Sequence, residues 1–236
     1  MATQLTRKEL KQDKFAVEVE HTVDFFAAHR QQTIRYGAIA LAVILIVAGV
    51  FYYRSSQHAV RQQVLGEAMT LVNAPVTANA PAGGPSFPNE AAKDQAVSKA
   101  LNKVVSDYGG SEEAYIAEYY LAAKSVDAGK MEDARGKYKD VADHADANNS
   151  SLAKLALAQV YASENKNSDA EALLKDLMDH PTDLVSKSQA TIAYAKMIGP
   201  KRPAEARKLL TQIMTDKDQS SVAQLALSAM NDLPQQ

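Results

Sequence analysis

The residues of this chain best equipped for chemistry are five histidines, His21, His29, His58, His144 and His180, and a few carboxylate pairs. Imidazoles bind zinc or relay protons when two or three converge. These five are scattered, and His144 and His180 stand at matching places in two similar segments, which makes them repeat punctuation rather than ligands. Glu112-Glu113 and Glu132-Asp133 could act as acid and base, but each sits where a helix is expected to start, and acids there favour the helix dipole. Gly83-Gly84 and Gly109-Gly110 lack the strand–turn–helix setting of a phosphate loop, and no G-x-S-x-G occurs. The chain has no cysteine, which removes disulfides, thiolate metal sites, cysteine nucleophiles and a lipoprotein cysteine anchor. The expectation is a protein that is not an enzyme, with no catalytic, cofactor-binding or metal site.

Composition points the same way. The 236 residues carry a formal net charge of −2 with 23% charged residues, which argues against a nucleic-acid binder. Aromatics are 6%, tryptophan is absent and glycine is sparse at ten, a composition that leans helical and is neither disordered nor collagenous.

Between Arg35 and Arg54 lie 18 residues without a charge, YGAIALAVILIVAGVFYY. As a helix this run would be ~27 Å long, close to a bilayer's hydrocarbon thickness. Tyr36 marks one edge and Phe51, Tyr52 and Tyr53 the other, as interfacial aromatic belts do. A buried core helix is the competing reading, but core helices rarely lack a polar face. A cleaved signal peptide would need a far shorter charged region and a small-residue cleavage site. The sequence therefore predicts one transmembrane helix at 34–53. Arg7, Lys8, Lys11, Lys14, Arg30 and Arg35 place the tail in the cytoplasm by the positive-inside rule, with the larger domain in the periplasm and the span in a bacterial inner membrane. Residues 1–33 form an amphipathic charged tail, with Thr6-x-x-Glu9 as a capping box and Phe15, Val19, Val23 and Phe26 as its apolar stripe.

Residues 54–236 contain a repeat. DARGKYKDVADH at 133–144 returns 36 residues later as DAEALLKDLMDH at 169–180, and Ala206, Leu210 and Ile213 begin a third copy. SLAKLALAQV at 151–160 matches SVAQLALSAM at 221–230. Each unit reads as a helix, a short polar turn and a second helix, with turns at Gly129-Lys130, Asn165-Lys166-Asn167 and 199–203. A lone helix at 219–232 closes the array, and helices at 57–72 and 91–108 precede it. Residues 73–90 between these two hold four of the eight prolines and read as a loop that is only partly ordered.

A helix–turn–helix repeat of this period resembles the tetratricopeptide (TPR) family. Ala122, Ala158 and Ala195 stand where the first helix needs a small residue, and Ala134, Ala170 and Ala206 where the second does. The family's early tryptophan is replaced by Glu118, Lys154 and Thr191. The fold class expected is all-α: one transmembrane helix followed by a TPR-like solenoid of about three and a half repeats. The layout, together with Val23-x-Phe25-Phe26-Ala27 just before the apolar run, is similar to the ancillary subunit of the Sec translocon. That resemblance implies association with the translocation channel and with periplasmic chaperones that receive emerging chains. A TPR-like scaffold of another envelope machine, for division, secretion or cytochrome maturation, stays open beside it.

Repeats of this kind present the first helix of each pair on a concave face. In this register the candidate groove comprises Ile116, Tyr119, Ala123 and Val126, then Leu152, Leu155, Gln159 and Ala162. Gln189, Ile192 and Lys196 follow, then Val222 and Leu225. The surface is more apolar than one built for acidic tails and suits a hydrophobic helix or an unfolded segment. The alternative is that these side chains are core.

Overall fold

The computed structural model describes residues 30–77, 84–215 and 220–234, with the side chains of 30–34, 50–56 and 220–221 outside the description. The predicted tail helix, its capping box and the Phe25-Phe26-Ala27 motif lie outside the described residues. The chain divides into two units between Ala59 and Val60.

In the first unit the helix α1 (Arg30–Val72) begins. Its described apolar side chains, from Tyr36 to Val47, are 53–70% exposed at every large residue. Among the described residues no helix is long and apolar enough to cross a membrane. This overturns the predicted transmembrane helix at 34–53, and with it the single-pass inner-membrane placement with a periplasmic domain. The edge aromatics Phe51, Tyr52 and Tyr53 fall among the undescribed side chains.

The second unit is all helical among its described residues, apart from one isolated bridge. After the end of α1 come α2 (Glu90–Tyr108), α3 (Glu112–Asp127), α4 (Met131–His144), α5 (Ala147–Ser163), α6 (Asn167–Asp179), α7 (Lys187–Ile198), α8 (Pro203–Thr215) and α9 (Ser220–Asn231). Each helix packs mainly on its sequence neighbours, as a solenoid requires. The second helices share one pattern of buried residues at i, i+4 and i+7: Ala134, Tyr138 and Val141 in α4, Ala170, Leu174 and Leu177 in α6, Ala206, Leu210 and Ile213 in α8. That is one helical face, and all three alanines are 0% exposed. Ala122, Ala158 and Ala195 are at most 1% exposed, at the close approaches between helices. Three apolar clusters result, one over α1–α3, one over α3–α6 and one over α5–α9 and the chain end.

The turns explain the repeat's regularity. Gly129 (φ 71°) and Asn165 (φ 60°), 36 residues apart, both adopt the left-handed conformation. In each case the next amide reaches back to close the helix end: Lys130 N–H donates to Ser125 O and Lys166 N–H to Tyr161 O, both at 2.8 Å. These are two Schellman turns in the same register. Helix starts are capped by Asn89, Ser111 and Asp146, and Ser186 with Gln189 forms a reciprocal capping box on α7. The proline-rich loop is pinned at its base. Thr77 N–H donates to Phe87 O at 2.9 Å and Phe87 N–H to Pro75 O at 3.1 Å.

Candidate partner-binding face

The first helices α3, α5 and α7 expose the face on which the predicted groove residues fall, and the structure separates those residues into three kinds. Ile192 is 8% exposed and belongs to the core. Ile116, Tyr119, Leu152, Leu155 and Val222 are half-buried. Tyr119 packs edge-on against Tyr138 at 5.3 Å between centroids, while Leu152, Leu155 and Val222 lean on the large apolar cluster. Gln159, Lys196 and Leu225 are exposed. Gln189 accepts the Ser186 amide at 2.8 Å, so its side chain serves the helix cap.

Two clefts open on this face. The first, of about 230 Å³, runs between α3, α4 and α5 and is lined by Ala123, Val126, Met131, Tyr138, Ala156 and Gln159 with Asp127 at its end. The second, of about 350 Å³, lies between α5, α6 and α7 and is lined by Ala158, Gln159, Ala162, Leu174, Ala193, Lys196 and Met197. Gln159 is common to both. Of the predicted groove set, the structure places Ala123 and Val126 in the first cleft, Ala162 and Lys196 in the second and Gln159 in both, and leaves Ile116, Tyr119, Leu152, Leu155, Gln189, Ile192, Val222 and Leu225 outside both. Sequence reasoning missed Asp127, Met131, Ala156, Ala193 and Met197. The two methionines carried a usable signal, since flexible thioethers line adaptable surfaces.

A larger cleft, about 430 Å³, lies between α2, α3 and α4, and it is polar. Four of its charges pair within the wall, Lys124 with Asp94 and Lys137 with Asp133, and Asp127 and Lys130 add one more of each sign. Ser125 Oγ also donates to Asp133 at 2.6 Å. Lys137, then Ser125, hold the Asp133 carboxyl below the usual carboxylate range. A site whose charges neutralise one another offers little to a charged ligand.

The remaining polar side chains are structural. His144 Nδ1 lies 3.0 Å from Asp140 O and His180 Nδ1 3.2 Å from Asp176 O, so both rings close the last turn of a second helix. Glu112 accepts the Asp146 amide at 3.1 Å and ties the start of α5 to the start of α3. Arg61 Nε donates to the buried Glu113 at 3.2 Å. Glu171 accepts from Arg202 at 2.7 Å and from the Tyr194 hydroxyl at 2.9 Å, and Lys175 foremost draws its carboxyl down to about 2. Opposite Glu118, the pattern is different: burial, then the neighbouring Asp140, push the Glu118 carboxyl up to about 7. Among the described residues no group of three or more His, Asp or Glu is placed to hold a metal ion.

A solenoid of paired helices, alanines at the crossings and a recessed first-helix face define the architecture. No curated protein and no solved structure matches the chain. A family model described as a tetratricopeptide repeat-like domain matches residues 26–183. That match spans more than half of the sequence, and the chain belongs to the tetratricopeptide repeat-like domain family.

Proposed function

We propose that this chain is a non-catalytic protein–protein interaction scaffold whose first-helix face captures a segment of a partner. The observation that carries this is the pair of adjoining, mostly apolar clefts that meet at Gln159. Open apolar clefts on a rigid helical framework gain by covering their surface, and members of repeat families use such faces for binding. The partners proposed are subunits of the Sec translocation channel and chaperones that receive emerging chains. Support for that finer reading comes from the sequence, in the Val23-x-Phe25-Phe26-Ala27 motif ahead of an apolar run and the TPR-like array behind it.

The test is photocrosslinking from an unnatural amino acid placed at Gln159, with exposed Lys139 and Lys175 on the second helices as control positions. Adducts specific to position 159 are the expected result. Channel subunits or chaperones among the adducts support the finer reading; components of a division, secretion or cytochrome-maturation machine replace it. Equal labelling from all three positions removes the binding-face assignment itself.

A further inference from the structure

The chain has no cysteine, so methionine thioethers are the side chains that a peroxide oxidises first. Each of the two clefts holds one of them, Met131 in the first and Met197 in the second. Both are partly exposed, and a small oxidant reaches them from solvent.

Their surroundings give oxidation its effect. The walls beside Met131 include Ala123, Val126 and Ala156, and those beside Met197 include Ala162, Leu174 and Ala193. Such surfaces gain by being covered with apolar groups. A sulfoxide replaces the flexible apolar thioether with a polar group that carries a strong acceptor oxygen. In an open cleft water satisfies that oxygen. Beneath an apolar segment the oxygen loses its water and the segment supplies no donor, and a buried acceptor left unpaired is costly.

We propose that Met131 and Met197 make the binding face a redox-sensitive one: their oxidation to sulfoxides by a peroxide closes the face to its partner, and reduction reopens it. In each step a sulfur lone pair attacks one peroxide oxygen, and the S–O bond forms as the O–O bond breaks. The departing hydroxide takes the proton of the transferred oxygen and leaves as water. Sulfur gives up two electrons and the peroxide gains them. Methionine sulfoxide reductases reverse the change at the expense of a thiol reductant. This rests on the scaffold reading above and adds its regulation.

The experiment uses the full chain with the photocrosslinker at position 159, both otherwise native and as the Met131→Leu, Met197→Leu double variant. Leucine keeps the side chain apolar and of similar volume and has no sulfur. Each protein is treated with hydrogen peroxide, freed of it, and only then offered to the extract used for crosslinking. Peptide mass spectrometry follows each methionine and circular dichroism follows the melting transition. Each protein is compared with its own untreated form. Met178 and Met230, which lean on the large apolar cluster and line neither cleft, are present in both proteins and cancel. Peroxide should lower the adduct yield of the otherwise native chain by about fivefold or more, the effect of one unpaired acceptor, and reductase treatment should restore it. The double variant should keep its yield. Equal losses in the two proteins overturn the inference. So does an unchanged yield with both cleft methionines oxidised, or a failure of peroxide to oxidise them, or a loss of the melting transition on oxidation. If untreated protein captures a partner from position 159 and peroxide has no selective effect, this inference alone fails; if untreated protein captures nothing, the scaffold reading fails and takes this one with it.

Discussion

The first and second helix pairs, α3/α4 and α5/α6, are near-copies that differ in sign at one place. Both turn through a left-handed residue, Gly129 or Asn165, and both bury alanines at the crossings. In the first pair Glu118 faces Asp140, and burial together with that second carboxylate pushes Glu118 up to about 7. In the second, Lys154 takes the equivalent position and donates to Asp176 at 2.7 Å, holding that carboxyl below its ordinary range. The packing is unmoved by the exchange of a repulsive pair for an attractive one. Apolar spacing and turn geometry specify the hairpin, and the position where the resembled family has tryptophan is left to carry charge of either sign.

The comparison breaks most visibly at the crossings. Ala122→Leu and Ala158→Leu should each overpack a closed crossing and destabilise by roughly 1–3 kcal/mol. Lys166→Leu, at an exposed turn, should cost less than about 0.5 kcal/mol. Thermal unfolding of the full chain reads all three, and equal melting temperatures would refute the shared register. The turns come next. Gly129→Ala forces a Cβ into the left-handed region and should cost about 1 kcal/mol, whereas Asn165→Gly should be neutral or slightly stabilising. A lowered melting temperature for Gly129→Ala and an unchanged or slightly raised one for Asn165→Gly is the expected result.

The charge exchange has a smaller effect, on the scale of a surface pair. Glu118→Lys, which makes the first pair resemble the second, should raise the melting temperature at pH 7.5 by an amount equivalent to roughly 0.2–1 kcal/mol. Lys154→Glu should lower it by a similar amount. The smallest predicted effect is in pH dependence. Glu118 titrates at about 7 in the folded chain against an ordinary 4.5, so its favourable contribution is complete below pH 4.5 and is lost as pH rises through 7. Asp176 is shifted the other way, down from 3.8, so its contribution is present above that pH and is lost only on stronger acidification. Between pH 7.5 and 5 the native chain should therefore gain more thermal stability than Glu118→Gln does. Parallel pH profiles for the two proteins would remove Glu118 as the cause.

Much of the solenoid was legible because its signals are local. The return of the 133–144 pattern 36 residues later at 169–180, the alanines at fixed places and the Gly or Asn at the turns depend on helix period and backbone conformation alone. The expected span rested on hydropathy alone, and no described helix is long and apolar enough to cross a membrane. The binding face was legible only in outline. Whether a first-helix residue lines a cleft or fills the core depends on how far each helix is rotated, and the same period allows both. Thus Ile192 turned inward, Gln159 outward, and Gln189 was taken by the cap of its own helix. Asp127 escaped notice because a residue at a helix end belongs to no periodic face. The Glu112 tie to the Asp146 amide joins residues 34 apart, a contact with no sequence signature.

The pinned base of the proline-rich loop has a practical consequence. With Thr77 and Phe87 hydrogen-bonded across its neck, the described residues on either side of 78–83 are held together at one fixed point. The entropy of closing such a loop grows only logarithmically, about 0.6 kcal/mol for each doubling of length. An epitope or fluorophore-binding tag spliced between residues 77 and 84 would then hang from a closed neck and leave the helix stack undisturbed. The loop is the natural place to attach a reporter to this protein while it is at work.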